Sequence, residues 1–253
     1  MDCARILLIF LFLKCSLLLS VEKLKLEIIR KIPHTLPAFT QGLSIQDGAL
    51  YESTGLYGHS ELRKIDIESG NVIQRKKIEN FFFAEGVAAF PGEVIQITWN
   101  EMEALVYDRQ TLTLKKVMHY SGAGWGLCRD GNHVWMSNGT SQITKREVST
   151  FKPVGSLNVV LDGKPLNNIN DLECVGNYLF ANIWFKNWIA RIDKATGEVD
   201  GIIEGSSLLQ DHERARLNSE NVLNGIAHSA DRGTFFITGK EWPWIYEVDF
   251  IRN

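Results

Sequence analysis

The chain has little of what marks most ligand chemistries. No Lys/Arg run or basic stripe appears, and a formal net charge of −3 gives none of the field that nucleic-acid binders carry. Its histidines, His34, His59, His119, His133, His212 and His228, lack zinc-ligand spacing. There is no EF-hand-like calcium loop, no phosphate-cradling glycine loop and no nucleophile elbow. Gly122-Ala123-Gly124-Trp125-Gly126 is glycine-rich but opens a strand, not a helix. Amphipathic helices are scarce, and the one candidate, Gln210 to Ser219, reads as a surface insertion. No apolar run reaches the roughly 20 residues of a membrane span, so stable membrane insertion is not expected.

Cysteine is sparse too. Of four, Cys3 and Cys15 fall in an N-terminal segment in which Arg5 precedes the apolar run Ile6 to Leu13 and Lys14 interrupts a second one. A charged start and a short apolar core predict a signal peptide over residues 1–20. Residues 21–253 then form a single domain, expected in the secretory pathway or outside the cell. Cys128 and Cys174 remain. A bridge between them and two buried free thiols both fit. Asn138-Gly139-Thr140 is a glycosylation sequon in a turn-like stretch, so Asn138 is expected to carry sugar.

What is abundant is short alternating apolar runs between Gly, Asn and Asp turns, as in Val94 to Thr98 and Thr234 to Thr238. They repeat. The openings Gln41-Gly42-Leu43, Glu85-Gly86-Val87, Trp125-Gly126-Leu127, Asp171-Leu172-Glu173 and Asn224-Gly225-Ile226 recur every 40 to 53 positions. That period, with four strands per round, is the signature of propeller blades. Third strands end alike at Asp66, Asp108, Asp193 and Asp249. The last round stops after its third strand, and Lys23 to Ile32 is a spare strand that supplies the fourth. The expected fold is an all-β, five-bladed β-propeller with four-stranded antiparallel blades, its ring closed by the N-terminal strand. An open β-sandwich with accidental periodicity is the alternative.

First strands of blades line a central channel, so their openings meet at its mouth. Here they carry Phe39, Gln41, Phe83, Glu85, Trp125, Asn170, Asp171 and Asn224, and second strands end at Trp99, Trp184 and Lys240. An aromatic cup with few polar groups is the usual shape of a small-ligand site. Taken singly, the aromatic residues pack blades together, the asparagines form turns and Gln41 caps a loop. Glu85 resists that reading. A carboxylate among Phe83, Ala84 and Val87 is costly unless paired or used, and Lys240 is either its structural partner or part of the chemistry.

Phe39-Thr40-Gln41-Gly42-Leu43, Tyr51-Glu52-Ser53-Thr54-Gly55-Leu56-Tyr57-Gly58, Phe83-Ala84-Glu85-Gly86, Asn170-Asp171-Leu172-Glu173, Ala181-Asn182-Ile183-Trp184, Leu223-Asn224-Gly225-Ile226 and Thr238-Gly239-Lys240, in this order, resemble the plant and bacterial glutaminyl cyclases. The likeness covers nearly all of the mature chain. It implies a five-bladed propeller that converts the N-terminal glutamine of a peptide or protein to pyroglutamate with release of ammonia. It implies no required cofactor and no metal at the site. It puts the acid/base glutamate at Glu85 and the pocket at Phe39, Gln41, Phe83, Trp99, Trp125, Asn170, Trp184 and Lys240, with Lys240 and Asn170 assisting catalysis. Cys128, Cys174 and the insertion around Asp211 to Asn221 lie outside the pattern, and neither is expected to touch the site.

One carboxylate can take a proton from the α-amine and give it to the departing nitrogen. Lys240, Gln41 or an indole N–H can donate to the tetrahedral oxygen. The rival function is a secreted propeller that binds peptides or glycans without catalysis. A propeller lactonase is a weaker third, since it needs a calcium held by acidic side chains at the openings. A structural ion held by backbone carbonyls in the channel is compatible with the sequence. A monomer that makes little demand on the residue after the terminal glutamine is expected.

Overall fold

In the computed structural model, residues 21–252 are described; the expected signal peptide lies outside them. The chain is almost all strand. It opens with β1 (Glu22–Pro33). A four-stranded sheet comes next: β2 (Thr40–Gln46), β3 (Ala49–Thr54), β4 (Glu61–Asp66) and β5 (Val72–Lys77). The second comprises β6 (Ala84–Ala89), β7 (Glu93–Thr98), β8 (Glu103–Asp108) and β9 (Leu114–His119). The third comprises β10 (Leu127–Asp130), β11 (His133–Met136), β12 (Gln142–Glu147) and β13 (Pro153–Asn158). A small hairpin, β14 (Val160–Leu161) with β15 (Lys164–Pro165), leads to β16 (Ile169–Val175), β17 (Tyr178–Ile183), β18 (Trp188–Asp193) and β19 (Val199–Glu204). The helical turn α1 (Asp211–Arg214) precedes β20 (Leu223–Ser229), β21 (Thr234–Gly239) and β22 (Trp244–Arg252).

β1 pairs antiparallel with β22 along nearly its whole length, from Leu24 opposite Arg252 to Pro33 opposite Trp244. The first strand thus supplies the outer neighbour that the last round lacks. Its start also runs parallel to β19, which joins two four-stranded groups into one eight-stranded sheet. The helix expected over Gln210 to Ser219 shrinks to the four residues of α1. It buries no side chain, and so short a helix has no packing to stabilise it.

The strands sort by depth. β6 (Ala-Glu-Gly-Val-Ala-Ala) is buried throughout, whereas β5 and β9 expose Lys76, Lys77, Lys115 and Lys116. Outer edges with charged side chains resist pairing with other chains. The inner strands pack in a cyclic series, β2 on β6, β6 on β10, β10 on β16, β16 on β20 and β20 on β2. The glycines of the openings permit this approach. A methyl group on Gly42 would lie 2.9 Å from the Gly86 Cα, one on Gly86 2.5 Å from the Leu127 nitrogen, and one on Gly126 would collide with the backbone of Asn170. The repeated aspartates have a local cause as well. Asp66, Asp108 and Asp193 accept the backbone N–H of Ser69 (2.8 Å), Thr111 (2.9 Å) and Thr196 (3.0 Å), shaping the turn into the outer strand.

Cys128 and Cys174 are bonded, with Cα atoms 5.6 Å apart. The bridge ties β10 to β16, and of the two states the sequence left open the protein adopts the disulfide.

Candidate active site

The site residues sit where strand pairing is interrupted. Register shifts fall between Thr40 and Gly42, Ala84 and Val87, Ile169 and Leu172, and Leu223 and Ile226. Gln41, Glu85, Asn170 and Asn224 are the residues so released. Bulges re-aim side chains in this way and recur beside functional sites. Trp125 lies just ahead of β10, fixed by its N–H to the Ser137 carbonyl at 3.0 Å. Trp99, Trp184 and Lys240 directly follow β7, β17 and β21.

Together they enclose a cup of about 580 Å³ lined by the nine residues that the family resemblance assigned to the site, Phe39, Gln41, Phe83, Glu85, Trp99, Trp125, Asn170, Trp184 and Lys240, whereas Asp171 and Asn224, also expected at the mouth, do not line it. Its wall is aromatic. Phe83 meets Phe39 edge-on at 6.4 Å and Trp99 at 5.7 Å, and Trp125 meets Trp184 at 5.4 Å. Two glycines make room for these rings. A methyl group on Gly55 would lie 2.5 Å from the Phe83 ring, and one on Gly139 2.7 Å from the Trp125 indole.

Glu85 is only 5% exposed. Burial pushes its carboxyl well above the usual range, Lys240 pulls it partly back, and Asp171 and Glu101 push it further up. Lys240, also 5% exposed, is lowered by burial against the attraction of Glu85 and Glu220. Its ammonium lies 4.7 Å from the centre of the Phe39 ring. Glu85 and Lys240 feel each other across the cup, yet among the described residues they form no ion pair. Asn170 Oδ1 and Trp184 Nε1 are buried in the wall without a protein partner. Buried polar atoms normally have one.

Asp171 lies beneath the cup, fully buried. Its Oδ2 accepts the backbone N–H groups of Leu43 (3.1 Å) and Ile226 (3.0 Å), which pins three inner strands together. Asn224 donates to the Thr40 carbonyl at 3.0 Å and fixes the bulge that carries Gln41. A second buried network holds the segment before Phe39. Glu52 accepts from Thr40 Oγ1 (2.7 Å) and lies 2.8 Å from His34 Nε2, and Arg63 donates to the Pro37 carbonyl at 2.7 Å. Glu241 and Ala38 bond reciprocally, backbone N–H to carbonyl at 2.7 Å and backbone N–H to carboxylate at 3.1 Å. That pair links the Phe39 segment to Lys240.

Sequence reasoning missed Leu56, Asn218, Glu220, Asn221 and Glu241, which complete the lining. Leu56 lies within a string already singled out, and Glu241 adjoins one. Asn218, Glu220 and Asn221 overturn an expectation: the insertion after α1 does touch the site. Its loop folds over the mouth, with the Asn221 carbonyl accepting the Trp242 indole N–H at 2.9 Å. Among the described residues no three His, Cys, Asp or Glu side chains gather as a metal would require.

An all-β fold that brings a buried carboxyl and a buried ammonium together in one aromatic cup places the protein among enzymes with a small polar site. The chain belongs to the glutamine cyclotransferase family, whose model matches residues 8–250. It is 35% identical over 235 residues to the glutaminyl-peptide cyclotransferase of Arabidopsis thaliana, covering 92% of this chain and 73% of that one. The crystal structure of Myxococcus xanthus glutaminyl cyclase superposes with a TM-score of 0.86 at 36% identity, covering 92% of this chain and all of that one. The WD40 β-propeller domain of Doa1 shares the fold alone, with a TM-score of 0.50 at 9% identity over 83% of this chain and 63% of that one.

Proposed function

We propose that this protein is a glutaminyl-peptide cyclotransferase that closes the N-terminal glutamine of peptides to pyroglutamate and releases ammonia. The observation that carries the reading is the buried, unpaired Glu85 carboxyl in an aromatic cup shared with Lys240. The family and the Arabidopsis and Myxococcus relatives support it.

The α-amine nitrogen attacks the side-chain amide carbon, the new C–N bond forms and the bond to the amide nitrogen breaks. Glu85 accepts the proton that the amine sheds and delivers it to the departing nitrogen, which leaves as ammonia. A free α-amine titrates at about 8, and a carboxyl raised above its ordinary range exchanges protons with it more evenly than an ordinary one. Lys240 stabilises the tetrahedral oxygen. Asn170 Oδ1 orients the glutamine amide, and the indoles and phenyl rings hold the folded, ring-closing conformation, where proximity supplies much of the gain. No metal takes part in this scheme.

The same reading takes the four-stranded sheets, with β1 completing β20–β22, as five blades around a channel. It takes the protein as a secreted monomer glycosylated at Asn138. The disulfide fits an oxidising compartment.

The test is ammonia release from Gln-Ala-Ala-amide and from its N-acetyl derivative, with and without chelator. Chelator-resistant turnover of the free-amine peptide alone is expected. A folded protein that releases no ammonia would return the cup to the binding-module reading, and loss of turnover in chelator would require a metal.

A further inference from the structure

With the terminal glutamine placed in the cup beside Glu85, the second residue of a substrate stands toward the mouth. The rim is charged in one sense. Glu220 and Glu241 line it, and Glu101 lies close enough to raise Glu85. Glu101 accepts the Tyr57 hydroxyl at 2.9 Å, and Glu241 is held by the Ala38 N–H at 3.1 Å. Among the described residues none of the three carboxylates has a salt-bridge partner, although Glu220 faces Lys240 across the mouth. Among the residues lining the cup, Lys240 alone is cationic, and it is buried, 5% exposed. Arg63, Arg75 and Lys77 line a neighbouring hollow that shares Glu241, and Arg214 lines another that shares Asn218 and Asn221. Asn170 Oδ1, on a residue 3% exposed, has no protein partner in the cup wall, and a peptide whose first residue lies against it has Glu220 and Glu241 among the residues that line its way out.

We propose that the acidic rim makes the enzyme selective for substrates with a cationic residue directly after the terminal glutamine, and disfavours an acidic one there. This rests on the cyclotransferase reading and replaces the indifference to the second residue expected from the cup alone. The rim acts by attracting the incoming cation and by unpaired repulsion of an anion, and both weaken with salt.

The experiment compares kcat/KM for Gln-Lys-Ala-amide, Gln-Ala-Ala-amide and Gln-Glu-Ala-amide at low and high ionic strength. The lysine peptide should exceed the glutamate peptide by about tenfold at low salt, and the ratio should shrink at high salt. In Glu220→Gln and Glu241→Gln the ratio should fall toward one. The salt series on the unaltered protein decides the matter even where Glu241→Gln fails to fold. A ratio of one, or one indifferent to salt, with brisk turnover of the alanine peptide overturns the rim proposal while leaving the activity intact. Absence of turnover for all three peptides overturns the activity itself and the rim proposal with it.

Discussion

The inner strands carry charge to both of their ends, and the two ends treat it oppositely. Where β2, β6, β16 and β20 begin, Glu85 and Lys240 lie buried and unpaired in an aromatic cup. Where the same strands end, a polar hollow of about 450 Å³ contains Gln46, Asp47, Arg129, Asp130, Glu173, Lys194 and His228. There several of the charged side chains have partners. Asp130 accepts Lys194 at 3.0 Å and the Trp135 indole N–H at 2.9 Å, Arg129 donates to Gln46 at 2.7 Å, and Arg109 pairs with Asp47 at 2.6 Å. Glu173, half-buried and pushed up by burial and by Asp171, is drawn partly back by the nearby backbone N–H groups of Cys174 and His228 and by Lys194. Satisfied charges hold a structure together, and unsatisfied ones cost stability and persist where chemistry uses them.

The comparison can be broken at either end. Replacing both bridged cysteines by serine should have the largest effect. The bridge closes a loop of 46 positions, and its loss should cost about 3–4 kcal/mol in denaturant unfolding while the folded fraction still turns over. At the cup, Lys240→Met should lower kcat/KM by about 10²-fold. It should also move the acid limb of the pH profile upward, because Lys240 is what draws Glu85 down. At the far end, Asp130→Asn should leave turnover unchanged and cost about 0.5–1 kcal/mol, a modest figure because solvent screens the site. Burial opposes ionisation of Asp130, but Trp135, Lys194 and Lys145 together hold its carboxyl below the ordinary value. Its contribution is therefore present above the unfolded pKa and is lost as pH falls through the folded one, so the two proteins should converge in acid melts. The smallest effect belongs to Glu101→Gln. It removes a repulsion on Glu85, and the acid limb should shift downward, opposite in sign to Lys240→Met.

Much of this was legible in the chain because repetition has a steric cause. Gly42, Gly86 and Gly126 recur since inner backbones meet there, and Asp66, Asp108 and Asp193 recur since each shapes the same turn. The aromatic cup could be read from residues just before or just after inner and second strands. What did not show was whatever depends on contacts between rounds. Glu52, His34 and Arg63 are far apart in sequence and carry no spacing signal, yet they buttress Phe39. The bulges that free Glu85 and Asn170 cannot be told from regular strand by alternation. The loop over residues 218–221 looked like a peripheral insertion, because nothing in its own residues says which surface it folds over. Likewise two cysteines 46 positions apart do not announce that β10 and β16 are neighbours.

The claim at the centre is that Glu85 is kept unpaired for proton transfer at the expense of stability. Glu85→Gln tests both halves together, by single-turnover ammonia release and by thermal melts at neutral and acid pH. Because the folded carboxyl is raised, the unfolded chain ionises first, and the fold loses stability as pH rises from the unfolded pKa to the folded one. The account predicts a rate lower by about 10²-fold or more, a higher Tm at neutral pH and little change below the ordinary carboxylate range. A folded Glu85→Gln protein that cyclises glutamine at the full rate would contradict it.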